Sequence, residues 1–180
     1  MLELILGGAR SGKSRYAEQC VMQNQQETLL IATATADDSE MAQRIALHQQ
    51  NRMDGITVIE EPIRLAKVLL DNVKDKNKAI IVDCLTLWVS NLLLEHEEKL
   101  ESADEFIALM DCLEVLASTE SSNVYIVSNE VGMGIIPLGH LNRLYCDAIG
   151  RLHQIIAKHA QRVTLMVAGL PHSIKNETNS

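Results

Sequence analysis

The segment Gly7-Gly-Ala-Arg-Ser-Gly-Lys-Ser14 fits GxxxxGK[ST] and stands between a first apolar run and a helical pattern, the setting a phosphate-binding loop requires. Gly7 and Gly12 let the backbone turn its N–H groups inward around a phosphate, and the helix that follows adds its positive N-terminal end. Gly8, Ala9, Arg10 and Ser11 complete the loop that would line the nucleotide. Lys13 is placed to reach the β- and γ-phosphates, and the Ser14 hydroxyl to ligate Mg²⁺. The chemistry implied is phosphoryl transfer from a purine nucleoside triphosphate.

Such a loop needs an acidic partner at the end of a buried strand, and Ala79-Ile-Ile-Val-Asp83 has that pattern. An ordinary strand-end or capping aspartate is the lesser, competing reading of Asp83. No N-K-x-D guanine motif occurs, and the arginines are too few and scattered for a nucleotide-kinase lid. Within Asp37–Arg52, Met41 and Ile45 lie one helical turn apart, and Arg44 and His48 form a second i, i+4 pair. The arginine would disfavour protonation of the ring, and a neutral imidazole is the form that attacks phosphorus. Spacing alone leaves His48 open to a structural role. His96, His140, His153, His159 and His172 read as structural, since none stands beside a comparable array of charges.

The elements that must position these residues show in the apolar runs Leu2–Leu6, Thr28–Ala32, Ile56–Ile59, Ala79–Val82, Val124–Val127 and Val163–Val167. Helical periodicity covers Lys13–Gln25, Ser39–Gln50, Ile63–Asn72, Trp88–Lys99, Ala103–Ala117 and Leu141–His159. Strands alternating with helices predict an α/β, single-domain P-loop NTPase fold of RecA-like type, with a mostly parallel central sheet and helices on both faces. The domain is expected over residues 1–175, with the polar tail after Ile174 frayed and 176–180 outside it. Glu130–Pro137, with two glycines and a proline, is either a shaped ligand loop at the carboxyl edge or a plain connecting turn.

A net charge of −8 over 180 residues repels polyanions, so a small phosphorylated ligand is expected rather than nucleic acid. The four cysteines form no CxxC pair, and reduced, mostly buried thiols are expected. The start of the chain carries Glu3 and lacks a basic leader, and no apolar stretch approaches a membrane span. A cytoplasmic protein without membrane insertion is expected.

Beyond the phosphate loop, the chain resembles the bifunctional adenosylcobinamide kinase / adenosylcobinamide-phosphate guanylyltransferase family of cobalamin assembly. The likeness runs through Gly7–Glu18, Ile31–Ala34, Arg44-Ile45 with His48 and Arg52, Glu60–Pro62, Val82–Leu93, Val127–Pro137 and Gly169–Pro171. Met53, Ile56 and His153 stand where that pattern usually has proline, tryptophan and asparagine. The resemblance implies that His48 attacks the α-phosphate of GTP and carries GMP as a phosphoramidate. It also implies that Ala32, Thr33, Ala34, Gln49, Gln50, Asn51, Arg52, Glu60 and Asp83 help to hold the guanine nucleotide, with Glu60 on either the guanine edge or the ribose. Adenosylcobinamide and its phosphate would be the small-molecule substrates, ATP or GTP the phosphoryl donor, and a homo-oligomer the assembly. A monofunctional small-molecule kinase and a nucleotide-gated binding module are the competing readings.

Overall fold

The computed structural model describes residues 1–24, 26–35, 55–96, 100, 103–118, 122–135 and 137–177. Among the described residues seven strands form one sheet: β1 (Leu2–Gly7), β2 (Glu27–Ala32), β3 (Ile56–Glu60), β4 (Lys78–Asp83), β5 (Asn123–Asn129), β6 (Arg162–Val167) and β7 (Leu170–Asn176). The helices among the described residues are α1 (Lys13–Gln23), α2 (Leu65–Asn72), α3 (Leu85–His96), α4 (Asp104–Ser118) and α5 (His140–His159). The strand order is β3-β2-β4-β5-β1-β6-β7, all parallel except β7, which runs antiparallel to β6. The chain leaves β1 for β2 across two intervening strands, a topology that puts ligands at the carboxyl edge of the sheet.

Alternation along each strand builds the two layers. Leu2, Leu4 and Leu6 of β1 join Ile80, Val82, Trp88, Leu92 and Ile149 on one face, while Ile5 packs with Ala17, Leu30, Ile81, Tyr125 and Val127 beneath α1 on the other. Both faces are covered, which is why the interior strands read as continuous apolar runs. Trp88 is fully buried, stacks on Phe106 and donates its indole N–H to the Ile63 carbonyl at 2.7 Å.

Three expectations are corrected. The chain does not lose structure at Ile174, because β7 pairs with β6 as far as Asn176 and the Glu177 N–H donates to the Gln161 carbonyl at 2.8 Å. Only Ala168 and Gly169 connect Val167 to Leu170, with φ of 52° and 81°, the left-handed pair that a tight hairpin of this twist demands. Pro171 disguises the strand, since proline is confined to strand positions at a sheet edge, where β7 lies. Helix α3 begins at Leu85, ahead of Trp88, directly after β4. Helix α2 begins at Leu65 rather than Ile63, because Glu61 Oε1 accepts the N–H groups of Ile63 at 3.0 Å and Arg64 at 2.9 Å in a turn before it. The predicted Ser39–Gln50 helix and residues 178–180 lie outside the described residues.

Candidate active site

Strand β1 ends at Gly7, where the loop folds back over β6. A Cβ at Gly7 would sit 2.6 Å from both the Met166 carbonyl oxygen and Ser11 Oγ, so only glycine fits. Arg10 and Gly12 take φ of 56° and 96°, left-handed turns that gather successive N–H groups into an anion-binding concavity. Gly12 is also the N-cap of α1. The β6–β7 hairpin supports the loop from behind, the Gly169 N–H donating to the Ser11 carbonyl at 3.0 Å. Lys13 is buried; its Nζ donates to the Gly8 carbonyl at 2.7 Å and lies 3.5 Å from Ser11 Oγ. Burial lowers its pKa, and Cys84 and Asp83 oppose that shift, which puts the Asp83 carboxylate within electrostatic reach of the ammonium.

Asp83 is the last residue of β4. Ala79 and Ile81 pack on the α1 side, so alternation directs Asp83 to the phosphate-loop face. Ser14 stands in the first turn of α1, half-buried. No group of three or more His, Cys, Asp or Glu side chains is assembled for a metal among the described residues. A hydroxyl and one carboxylate are hard oxygen donors that would leave most of a coordination sphere to water and substrate phosphates, which fits Mg²⁺. The neighbouring Cys84 thiol is pushed up to about 11, first by burial and then by Asp83; it stays a neutral thiol and is no nucleophile. Of the four free cysteines only Cys112 is fully buried, the other three being half-buried, fewer than expected.

Along the carboxyl edge, Ala32 of β2 lies in register between Glu60 of β3 and Asp83 of β4. With strands about 5 Å apart, Glu60 and Asp83 are roughly 10 Å from each other along this edge. Glu60 is exposed and Ala34 half-buried, both available to a ligand. Thr33 differs from expectation. It is completely buried, its hydroxyl donating to the Cys84 carbonyl at 2.6 Å and accepting the Cys84 N–H at 2.9 Å, so its side chain does not reach the cleft. His48, Gln49, Gln50, Asn51 and Arg52 lie outside the described residues.

Sequence reasoning passed over a second cluster at the exit of β5. His153 of α5 is buried, with Nε2 2.7 Å from Ser128 Oγ and Nδ1 3.7 Å from Glu130 Oε2. Burial lowers its pKa, and Glu130 opposes. The Glu130 N–H donates to the Gly7 carbonyl at 3.0 Å and its Oε1 accepts the Gly132 N–H at 2.7 Å, so the Glu130–Pro137 loop starts against the phosphate-loop strand. Serine, histidine and glutamate in that order suggest a hydrolytic triad, but Ser128 is wholly buried and no substrate reaches it. No spacing rule links these residues in the sequence.

A parallel sheet in this order, with a glycine-rich loop after β1 and a carboxylate at the end of an interior strand, defines a P-loop nucleotide-binding protein of RecA-like fold. Solved structures share that fold: the P4 protein from bacteriophage phi6 in complex with ADP, at TM-score 0.50 and 16% identity over 94% of this chain and 52% of that one, and the RadB recombinase, at 0.53 and 13% over 91% and 73%. The sequence narrows the class, matching the family described as "Cobinamide kinase / cobinamide phosphate guanyltransferase" over residues 3–174. The chain belongs to that family. It is 46% identical to the bifunctional adenosylcobalamin biosynthesis protein CobP of Pseudomonas aeruginosa, over 98% of this chain and 99% of that protein. It is 35% identical to the bifunctional adenosylcobalamin biosynthesis protein CobU of Escherichia coli K12, over 97% and 100%. A bifunctional kinase and guanylyltransferase is thus favoured over a monofunctional kinase.

Proposed function

We propose that the chain phosphorylates adenosylcobinamide with ATP or GTP, then carries GMP from GTP on His48 to adenosylcobinamide phosphate. The observation that supports this most is the pairing of a formed phosphate loop and buried Lys13 with Asp83 on the same face, in a chain of this family. In the first step the acceptor hydroxyl oxygen attacks the γ-phosphorus, the bond to the β-bridging oxygen breaks, and the hydroxyl proton is released. The loop amides, the α1 N-terminus and Lys13 stabilise the charge spread over the transferring oxygens. Ser14 and Asp83 would hold Mg²⁺, which neutralises charge on the triphosphate when bound.

In the second step a neutral His48 nitrogen attacks the α-phosphorus of GTP and pyrophosphate leaves. An oxygen of the cobinamide phosphate then displaces the imidazole, giving adenosyl-GDP-cobinamide and free enzyme. Ala32, Ala34, Gln49, Gln50, Asn51, Arg52 and Glu60 hold the guanine nucleotide beside this centre; Thr33, its hydroxyl engaged by Cys84, stands behind them and makes no contact with it. The protein works in the cytoplasm as a homo-oligomer.

Lys13→Ala and Asp83→Asn should each lower cobinamide phosphorylation by about 10²- to 10³-fold while circular dichroism stays that of the wild type. Wild-type turnover in either variant would contradict the assignment.

A further inference from the structure

We propose that Thr33 is a positioning residue for the Asp83 carboxylate, braced from α3 by Asn91; this rests on the reading that Asp83 holds the nucleotide's metal ion. The last rung of the β2–β4 ladder pairs Ala32 with Asp83. Beyond it, Thr33 binds the exit of β4 three times. Its N–H donates to the Asp83 carbonyl at 3.1 Å, its hydroxyl donates to the Cys84 carbonyl at 2.6 Å, and the same oxygen accepts the Cys84 N–H at 2.9 Å. Both peptide groups that follow the Asp83 Cα are thereby held, and with them the direction in which its side chain leaves the strand.

Asn91 extends the clasp. Its Nδ2 donates to the Thr33 carbonyl at 2.8 Å and to the Pro62 carbonyl at 3.1 Å, while the Glu61 N–H donates to the Ala32 carbonyl at 2.9 Å. One amide of α3 thus joins the exits of β2 and β3, and Thr33 joins the exit of β2 to that of β4. Thr33 is completely buried, so its hydroxyl has no water to exchange for Cys84, and deleting it orphans the Cys84 N–H and leaves the Cys84 carbonyl only the Trp88 N–H at 3.2 Å. A carboxylate that loses its supporting contacts loses its fixed aim at a metal, an effect worth roughly 10- to 100-fold in metal-linked affinity.

The test is equilibrium binding of GTP, with Mg²⁺ and with EDTA, to the full-length protein. Thr33→Val keeps the side-chain shape and removes the hydroxyl; Thr33→Ser keeps the hydroxyl. Thr33→Val should lose roughly 10- to 100-fold of the Mg²⁺-dependent gain in affinity while its affinity in EDTA stays that of the wild type, and Thr33→Ser should retain most of the gain. Asn91→Asp, equal in size but unable to donate to either carbonyl, should lose the gain in the same direction and serves if Thr33→Val fails to fold. A full gain in both Thr33→Val and Asn91→Asp, an equal fall in EDTA, or an equal loss in Thr33→Ser would overturn the proposal. Asp83→Asn separates the two layers: if it keeps the wild-type gain, the metal reading of Asp83 has failed, and the clasp with it.

Discussion

Burial of His153 between Ser128 and Glu130 makes its protonation part of the folding equilibrium. Its pKa in the folded chain lies below the ordinary imidazole value of 6.5, mainly through burial, with Glu130 opposing. Between that depressed value and 6.5 the unfolded chain binds a proton that the folded chain does not, so this contribution to stability is complete above 6.5 and declines as the pH falls. The drop in urea midpoint from about pH 7.5 to about pH 5.5 should therefore be smaller in His153→Gln than in the wild type; equal drops would contradict this account. At Gly7 the constraint is steric, since an added Cβ meets the Met166 carbonyl at 2.6 Å. Gly7→Ala should abolish nucleotide binding measured by titration calorimetry, and wild-type affinity would show that the loop tolerates a side chain there.

Among the elements, β7 and α5 support each other through Lys175. Its Nζ donates to the carbonyls of Ala157 at 3.1 Å and Lys158 at 3.4 Å, in the last turn of α5, and lies 3.3 Å from Glu177. A cation at the negative end of a helix offsets the dipole and satisfies carbonyls without intrahelical partners. Lys175→Met should lower unfolding stability by about 1 kcal/mol, read from urea denaturation; an unchanged midpoint would mean solvent replaces these bonds at no cost. The same strand marks where sequence reading stops. The interior strands and the phosphate loop are legible because each is written in contiguous residues, apolar runs and one motif. Strand β7 is exposed over almost all its length and contains Pro171, so neither burial nor alternation announces it. The contacts that aim the site are long-range: Thr33 meets Cys84 51 positions on, and Ser128 meets His153 25 positions on. Only the folded sheet brings them together.

For the whole molecule, no helix among the described residues is long and apolar enough to cross a membrane, yet exposed apolar side chains occur in two places. Ile135 and Leu138, in the connection between β5 and α5, are 98% and 97% exposed, and Leu170 and Ile174 of β7 are also open. The homo-oligomer proposed above would cover side chains of this kind. Light scattering should report an oligomer for the wild type and a smaller species when Ile135 and Leu138 are both replaced by serine; a monomeric wild type would contradict it. The central claim is that one phosphate loop serves two attacks on two successively bound triphosphates, the cobinamide hydroxyl striking the γ-phosphorus of the first and His48 the α-phosphorus of the second, GTP. It is tested most directly by incubating the protein with GTP labelled at the α- or the γ-phosphate and isolating the denatured chain. Acid-labile, alkali-stable label from the α-position alone, lost in His48→Ala while cobinamide phosphorylation persists, is the predicted result. No retained α-label, or α-label undiminished in His48→Ala, would contradict it.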